Sequence, residues 1–223
     1  VGPAGQGKST TIASKIENIN KTRAEHIITI EDPIEYIFFN KQSLIEQREM
    51  YLDSHSWDVA LRSVLRQDPN IVFIGEMRDT DTIRSALQIA ETGHLVFTTL
   101  HTNSAAQTVD RLISSFEAQK QNEVKSQLSQ VIEVVISQRL LPSAKTGTIP
   151  ACEIMIKNDA ISNLIREGKP HMIDNVINTS AQYGMISIEK SMANLVISGH
   201  VTMEDAIKYS TRPAELKRLV EKK

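Results

Sequence analysis

The stretch GPAGQGKS at positions 2–9 fits the pattern G-x-x-x-x-G-K-[ST]. Such a loop turns its backbone N–H groups toward phosphates and leads into a helix N-terminus. In that arrangement the amides of Gly5, Gln6, Gly7, Lys8 and Ser9 receive a β-phosphate. The Lys8 ammonium neutralises β/γ oxygens and the Ser9 hydroxyl reaches Mg²⁺. Gly2 and Thr10 flank these residues and complete the candidate nucleotide-binding set.

Carboxylates supply the second part of the chemistry. Glu31 and Asp32 end the apolar run HIITI, and Glu76 follows the run NIVFIG. At strand tips beside a phosphate loop, carboxylates orient an attacking water and hold the water shell of Mg²⁺. Glu31 and Glu76 are therefore candidate catalytic residues and, with Ser9, candidate metal contacts. Asp32 precedes Pro33, a position that equally serves to shape a turn. An Asp-Glu pair is the usual close of such a strand, and this chain has Gly75-Glu76 instead. The metal role of the absent aspartate falls to Glu31 and Glu76.

His101 ends the run HLVFTTLH, where an imidazole can contact a γ-phosphate, and is the third candidate catalytic residue. His94 stands at the opposite end of that run, open to a structural or a functional role. Arg48, Arg62, Arg66 and Arg78 are candidates for a charge-stabilising arginine supplied to a neighbouring subunit, although most surface arginines serve no such purpose. No [NT]-K-x-D guanine motif is present, since IKND at 156–159 has Ile at the first position. Adenine is the expected base.

The elements that position these residues follow from periodicity. KSTTIASKIENINK carries small and apolar residues at helical spacing. HIITIEDP reads as a buried strand, KQSLIEQRE as a second short one, and SWDVALRSVLRQDP as a helix capped by Ser56 and stopped by Pro69. NIVFIGEMRD and HLVFTTLHT read as further strands, separated by a helix that Gly93 terminates. Strands that are nearly all apolar, alternating with helices, predict a parallel sheet covered on both faces. The segment NEVKSQLSQVIEVVISQRL is expected as one long helix, with strands around Leu140–Leu141 and at PACEIMI. Beyond Asp159 the pattern changes to short helices punctuated by Gly and Pro.

Composition narrows the partners. Among 223 residues, 25 are basic and 27 acidic, so the formal net charge of −2 makes no case for nucleic acid or an anionic membrane. Ten aromatics (five Phe, four Tyr, one Trp) are too few for a base-stacking surface. One cysteine, Cys152, excludes an intrachain disulfide and a multi-thiolate zinc site and fits a cytoplasmic setting. No apolar run approaches the roughly 20 residues of a membrane span. A phosphate loop ordinarily follows a buried strand, and only Val1 precedes this one. The chain is thus expected to be the C-terminal part of a longer protein.

Taken together, GPAGQGKSTT, TIEDPIEY, LRSVLRQDPNIVFIGEMRD and TGHLVFTTLHT resemble the Walker A loop, Asp box, atypical Walker B and His box of the secretion-superfamily ATPases. The resemblance runs along essentially the whole chain. Assembly and type II secretion members usually carry a cysteine-ligated metal insertion where QRLLPSAKTGTIPACEIMI stands here. The helical tail is similar instead to that of the pilus-retraction branch, including a segment, AISNLIRE, with Ser162 where arginine is common.

The resemblance implies an α/β fold: a RecA-like core over residues 1–157, its first strand truncated, followed by an all-helical subdomain over 158–223. It also implies a PAS-like domain upstream. The implied activity is ATP hydrolysis with Mg²⁺ by a homo-hexamer that powers type IV pilus retraction from the cytoplasm. Its partner would be an inner-membrane platform protein, without nucleic acid and without direct membrane insertion. Pilus assembly or type II secretion is the alternative within the superfamily. A nucleic-acid translocase and a nucleotide-binding module that never turns over are the alternatives outside it.

Overall fold

The computed structural model describes residues 1–221. Along the chain run α1 (Lys8–Thr22), β1 (His26–Glu31), β2 (Leu44–Glu49), α2 (Trp57–Val64), β3 (Ile71–Ile74), α3 (Thr80–Glu91) and β4 (Leu95–Thr98). Then come α4 (Ala105–Ser114), α5 (Gln121–Val131), β5 (Val134–Pro142) and β6 (Thr148–Ile156). Five helices close the chain: α6 (Asp159–Arg166), α7 (Ile173–Thr179), α8 (Ile188–Ile197), α9 (Met203–Tyr209) and α10 (Pro213–Glu221). These elements divide into two compact units. A sheet unit comprises Lys8–Leu100 and Ser114–Val131, and a hairpin unit comprises Val1–Gly7, His101–Ile113 and the chain from Ile132 onward.

In the sheet unit the strands lie in the order β2-β1-β3-β4 and every pairing is parallel. Of the three apolar strands expected to be buried, β3 is buried throughout and β1 throughout after His26, whereas β4 lies at the sheet edge and is only part buried, having a neighbour strand on one side alone. Side chains alternate across the pleat. Ile27, Ile45, Ile71 and Phe73 meet Ile16 of α1 on one face, flanked by Ile12 and Ile19. Ile28, Ile30, Val72 and Ile74 are buried on the other face. Here α2 packs on β1, and α3 packs on α2, β4 and α5.

Local signals set the helix starts. Ser56 caps α2 by accepting the Val59 N–H, and Asp79 caps α3 by accepting that of Thr82. Helix α2 ends at Val64, short of the expected stop at Pro69. Its last carbonyls are taken by a turn in which Arg66 N–H bonds Ser63 O and Gln67 N–H bonds Val64 O.

The hairpin unit corrects one expectation. The predicted helix across residues 122–140 stops at Val131, and the chain re-forms as β5, paired antiparallel with β6 from Val134↔Ile156 to Pro142↔Thr148. The run Val134-Val135-Ile136 is β-branched and stiff at χ1, which suits a pleated surface better than a helix. Cross-strand partners Met155 and Ile154 then complete the pairing. Val1 lies along β5 as well. Its amine donates to Ile136 O at 2.6 Å, and Gln138 N–H donates to Val1 O at 2.9 Å.

The short helices anticipated beyond Asp159 are present, and α8 packs on β6, α9 and α10. Leu141, Ala151, Ile188, Met192, Ala193, Val201, Ala206 and Leu216 form their shared core. No helix among the described residues is long and apolar enough to cross a membrane.

Met192 is fully buried in this core, whereas Val59 on α2 is exposed. Met192→Ala is expected to lower unfolding free energy by about 2–5 kcal/mol, and Val59→Ala by less than about 0.5 kcal/mol. Denaturant titration of the two variants beside the parent protein checks the contrast.

Candidate functional site

The phosphate-loop residues are held in place from β5. Gly2 and Gly7 have φ of +146° and +75°, a region open to glycine. A Cβ at Gly2 would meet Gln138 O at 2.6 Å, and one at Gly7 would meet Gln138 Nε2 at 2.9 Å. Gln6 anchors the loop through both its ends: its Oε1 accepts Leu140 N–H at 2.7 Å, and its backbone O accepts Gln138 Nε2 at 2.8 Å. The Gln6 side chain therefore faces the hairpin. Helix α1 begins at Lys8 with no acidic residue in its first turn. Its positive N-terminal end is left uncompensated by its own sequence.

Within the sheet unit, Glu31 stands at the C-terminal tip of β1 with only 6% of its surface exposed. Its Oε1 accepts the Thr29 hydroxyl at 2.7 Å and Gln47 Nε2 at 3.3 Å. Thr29 and Gln47 are partners in the β1–β2 register, so the pleat places all three side chains on the α1 face. Burial raises the Glu31 pKa above the ordinary carboxylate range, and these donors oppose the shift without cancelling it.

The first residues of α1 reach a loop that sequence reading passed over. Ser9 Oγ donates to Glu35 Oε1 at 2.9 Å, and Thr10 Oγ1 and Tyr36 Oη are 2.7 Å apart. Glu35 and Tyr36 lie inside the TIEDPIEY segment, past the turn at Pro33, where no strand tip marks them in the sequence. Burial lowers the Lys8 pKa, while the charges of Glu76 and Glu35 pull it back up. The Lys8 ammonium is thus partly desolvated and feels the charge of two acids.

Glu76 accepts Arg78 Nε at 2.8 Å, and Arg78 also lies 3.6 Å from Asp32 Oδ2. Three of the singled-out side chains thus meet at the tips of β1 and β3. Gly75 has a steric cause. A Cβ there would fall 3.3 Å from Glu31 Cα and 3.4 Å from Ile30 O, so the aspartate common at this place would fit only if β1 gave way by a few tenths of an ångström. Gly75 instead donates its N–H to Ile30 O at 2.8 Å and accepts the Thr99 hydroxyl at 2.6 Å.

The remaining candidates separate by environment. His94 Nδ1 lies 2.9 Å from Thr92 Oγ1 and 3.0 Å from Ile89 O, closing the end of α3. His101 is exposed, one residue past Leu100, at the start of the hairpin unit's second segment. Arg48 is bound by Ser63, Glu46 and Gln67. Arg62 pairs with Asp58, one turn away on an exposed face of α2, and Arg66 lies exposed in the turn after it. Among the described residues no group of three or more His, Cys, Asp or Glu side chains forms a metal cage. Mg²⁺ bound through phosphates and water needs few protein oxygens. The Ser9 hydroxyl, with Glu31 and Glu76 as water-mediated contacts, fits that modest requirement.

A carboxyl whose folded pKa is raised contributes stability that is full below its unfolded value, near 4.3, and lost as pH rises through the folded value. Glu31→Gln is therefore expected to gain thermal stability relative to the parent protein between pH 4 and pH 8. Melting curves at several pH values check this, and a pH-independent difference would contradict the burial effect.

Comparison with known proteins accords with this arrangement. The type II/IV secretion system protein family matches residues 1–218. The type IV pilus retraction ATPase PilT of Pseudomonas aeruginosa is 47% identical over 205 residues, covering 92% of this chain and 60% of that protein. A twitching motility protein of Neisseria gonorrhoeae is 48% identical over 206 residues, covering 92% of this chain and 55% of that protein. The crystal structure of the pilus retraction motor PilT with bound ADP superposes with a TM-score of 0.91 at 47% identity, covering 98% of this chain and 62% of that one. The chain thus spans little more than half the length of these relatives. With the family matched over nearly its whole length and an α/β fold in agreement, this chain belongs to the type II/IV secretion system protein family.

Proposed function

We propose that this chain is the ATP-hydrolysing part of a homo-hexameric motor that retracts type IV pili, with Mg²⁺ as cofactor. The observation that carries this reading is the Glu31 carboxyl, buried at a strand tip and held by Thr29 and Gln47. The same unit also holds Lys8 and Ser9, which begin α1. The retraction names of the relatives and the ADP bound in the related crystal structure support it.

In this reading the amides of residues 5–9 and the Lys8 ammonium bind the phosphates. Ser9 and, through water, Glu31 and Glu76 would hold the Mg²⁺ ion, which would supply charge neutralisation at the phosphoryl oxygens. Glu31 takes the proton of the attacking water, and burial strengthens it as a base. Thr29 and Gln47 hold the carboxylate in one orientation, so little reorganisation is needed at the moment of transfer. Glu76, steadied by Arg78, places the second acid at the neighbouring strand tip. His101 donates to the γ-phosphate, and loss of that contact reports hydrolysis to the subunit interface. Arg62, Arg66 and Arg78 have exposed side chains from which a neighbouring subunit's site could be reached. The hexamer works from the cytoplasm against an inner-membrane platform protein, peripheral to the bilayer and with no inserted segment.

In the full-length protein, Lys8→Ala and Glu31→Gln are each expected to lower ATP turnover by at least about a hundredfold. Phosphate release measures this. A retraction-deficient strain should recover twitching with the parent gene and not with Lys8→Ala. Turnover stimulated by single-stranded DNA, without recovery of twitching, would favour a translocase instead.

A further inference from the structure

Two neighbouring rungs of the β5–β6 hairpin carry buried polar side chains that serve segments outside the hairpin. The register pairs Gln138 with Cys152 and Ser137 with Glu153. From the first rung, Gln138 Nε2 donates to Gln6 O at 2.8 Å and its backbone N–H donates to Val1 O at 2.9 Å. The next residue but one, Leu140, donates its N–H to Gln6 Oε1 at 2.7 Å. From the second rung, Ser137 Oγ donates to Asn103 O at 2.9 Å, and Glu153 Oε1 accepts Ala105 N–H at 2.7 Å, where α4 begins. Gln138 and Glu153 are 6% and 5% exposed. Buried polar groups of this kind fix geometry, because breaking one bond strands its partner without water.

We propose that Gln138 and Glu153 are positioning residues for ATP turnover, which together fix the phosphate loop and the segment that starts at His101 to one rigid hairpin. The inference rests on the reading of the chain as an ATPase. Gln138 acts through Gln6 and the Gly2–Gly7 backbone, and therefore on nucleotide binding. Glu153 acts through Ala105 and the residues between it and His101, and therefore on the reacting phosphate.

The far side of Glu153 supports a separate readout. Glu153, Asp174, Ser187, Glu189, Thr211 and Arg212 line a cavity of about 210 Å³. The titratable and charged groups facing it there are Asp174 on α7, Glu189 on α8 and Arg212 ahead of α10. Arg212 pairs with Asp174, and Glu189 accepts the Thr211 hydroxyl at 2.9 Å. Burial, with the nearby acids adding to it, pushes the Glu153 pKa up to about 7. Its charge, and with it the strength of its bond to Ala105, changes near neutral pH. Glu153→Gln keeps an accepting oxygen but cannot ionise.

The experiment measures KM for ATP, kcat, the pH profile and melting temperature on the full-length protein, with Lys8→Ala alongside. Gln138→Met preserves volume and removes the donor. It is expected to raise KM by about tenfold, the worth of one buried hydrogen bond, with kcat changed by less than about threefold. Glu153→Met removes the acceptor and is expected to lower kcat by about tenfold with KM held. Glu153→Gln should recover kcat at pH 7 and lose the inflection near pH 7 that is expected of the parent protein. If Gln138→Met fails to fold, Gln138→Glu is read by the same KM criterion. A lowered melting temperature with KM and kcat both unchanged at 25 °C would overturn the proposal, as would an unaltered pH profile in Glu153→Gln. Should Lys8→Ala retain full turnover, the ATPase reading itself fails, an outcome distinct from either of these.

Discussion

Parallel pairing is the constraint on which the sheet unit depends. In a parallel sheet every strand delivers its C-terminal end to the same edge. With the order β2-β1-β3-β4, Glu49, Glu31, Gly75-Glu76 and Thr99 therefore come out side by side. The edge is knitted by short backbone bonds. Met50 N–H donates to Glu31 O at 2.8 Å, Gly75 N–H to Ile30 O at 2.8 Å, and Met77 N–H to Thr99 O at 3.2 Å. Glu49 itself accepts Ile34 N–H at 2.9 Å, which ties the loop after β1 back onto β2. The close approach of β3 to β1 makes residue 75 a tight place for a side chain, with a Cβ there 3.3 Å from Glu31 Cα, which suits glycine.

That edge sets the electrostatics. A carboxyl forced to the end of a strand buried on both faces loses water, and its pKa rises for that reason first. Lys8 shows the complementary effect, lowered by burial and drawn back by Glu76 and Glu35. The apolar packing of Ile27, Ile45, Ile71 and Phe73 beneath α1 is therefore also the cause of the polar chemistry at its end. Arg78 keeps Glu76 and Asp32 from repelling one another without entering the core.

The hairpin unit answers a different physical problem. A glycine-rich loop is flexible by composition, and its conformation has to be imposed by something stiffer. Here β5 imposes it through Gln138 and Leu140, while β6 is held from behind by α8: Cys152 N–H donates to Ser191 Oγ at 3.0 Å, and Ile154 and Ile186 exchange backbone bonds. The apolar core around Met192 and Leu216 fixes α8 in turn. A chain of contacts thus runs from the terminal helices to the phosphate loop, all within one unit.

What the amino-acid order settles by itself is whatever depends on near neighbours. Residues 2–9 announce a phosphate loop, apolar runs of β-branched residues announce buried strands, and Ser56, Asp79 and Gly93 mark helix ends through bonds spanning a few residues. The acids Glu31 and Glu76 were legible because strand tips can be located from where apolar runs stop. Tertiary structure alone decided that the strand expected near Leu140–Leu141 starts at Val134, since the helical spacing of residues 134–139 was overridden by pairing with β6. It likewise decided that Gln6 turns to β5, that Glu35 receives Ser9, and that residue 75 is a tight place for a side chain. The Gln6 and Glu35 bonds join residues 134 and 26 positions apart, and the tight fit at Gly75 turns on tenths of an ångström, so none of these is written in local periodicity.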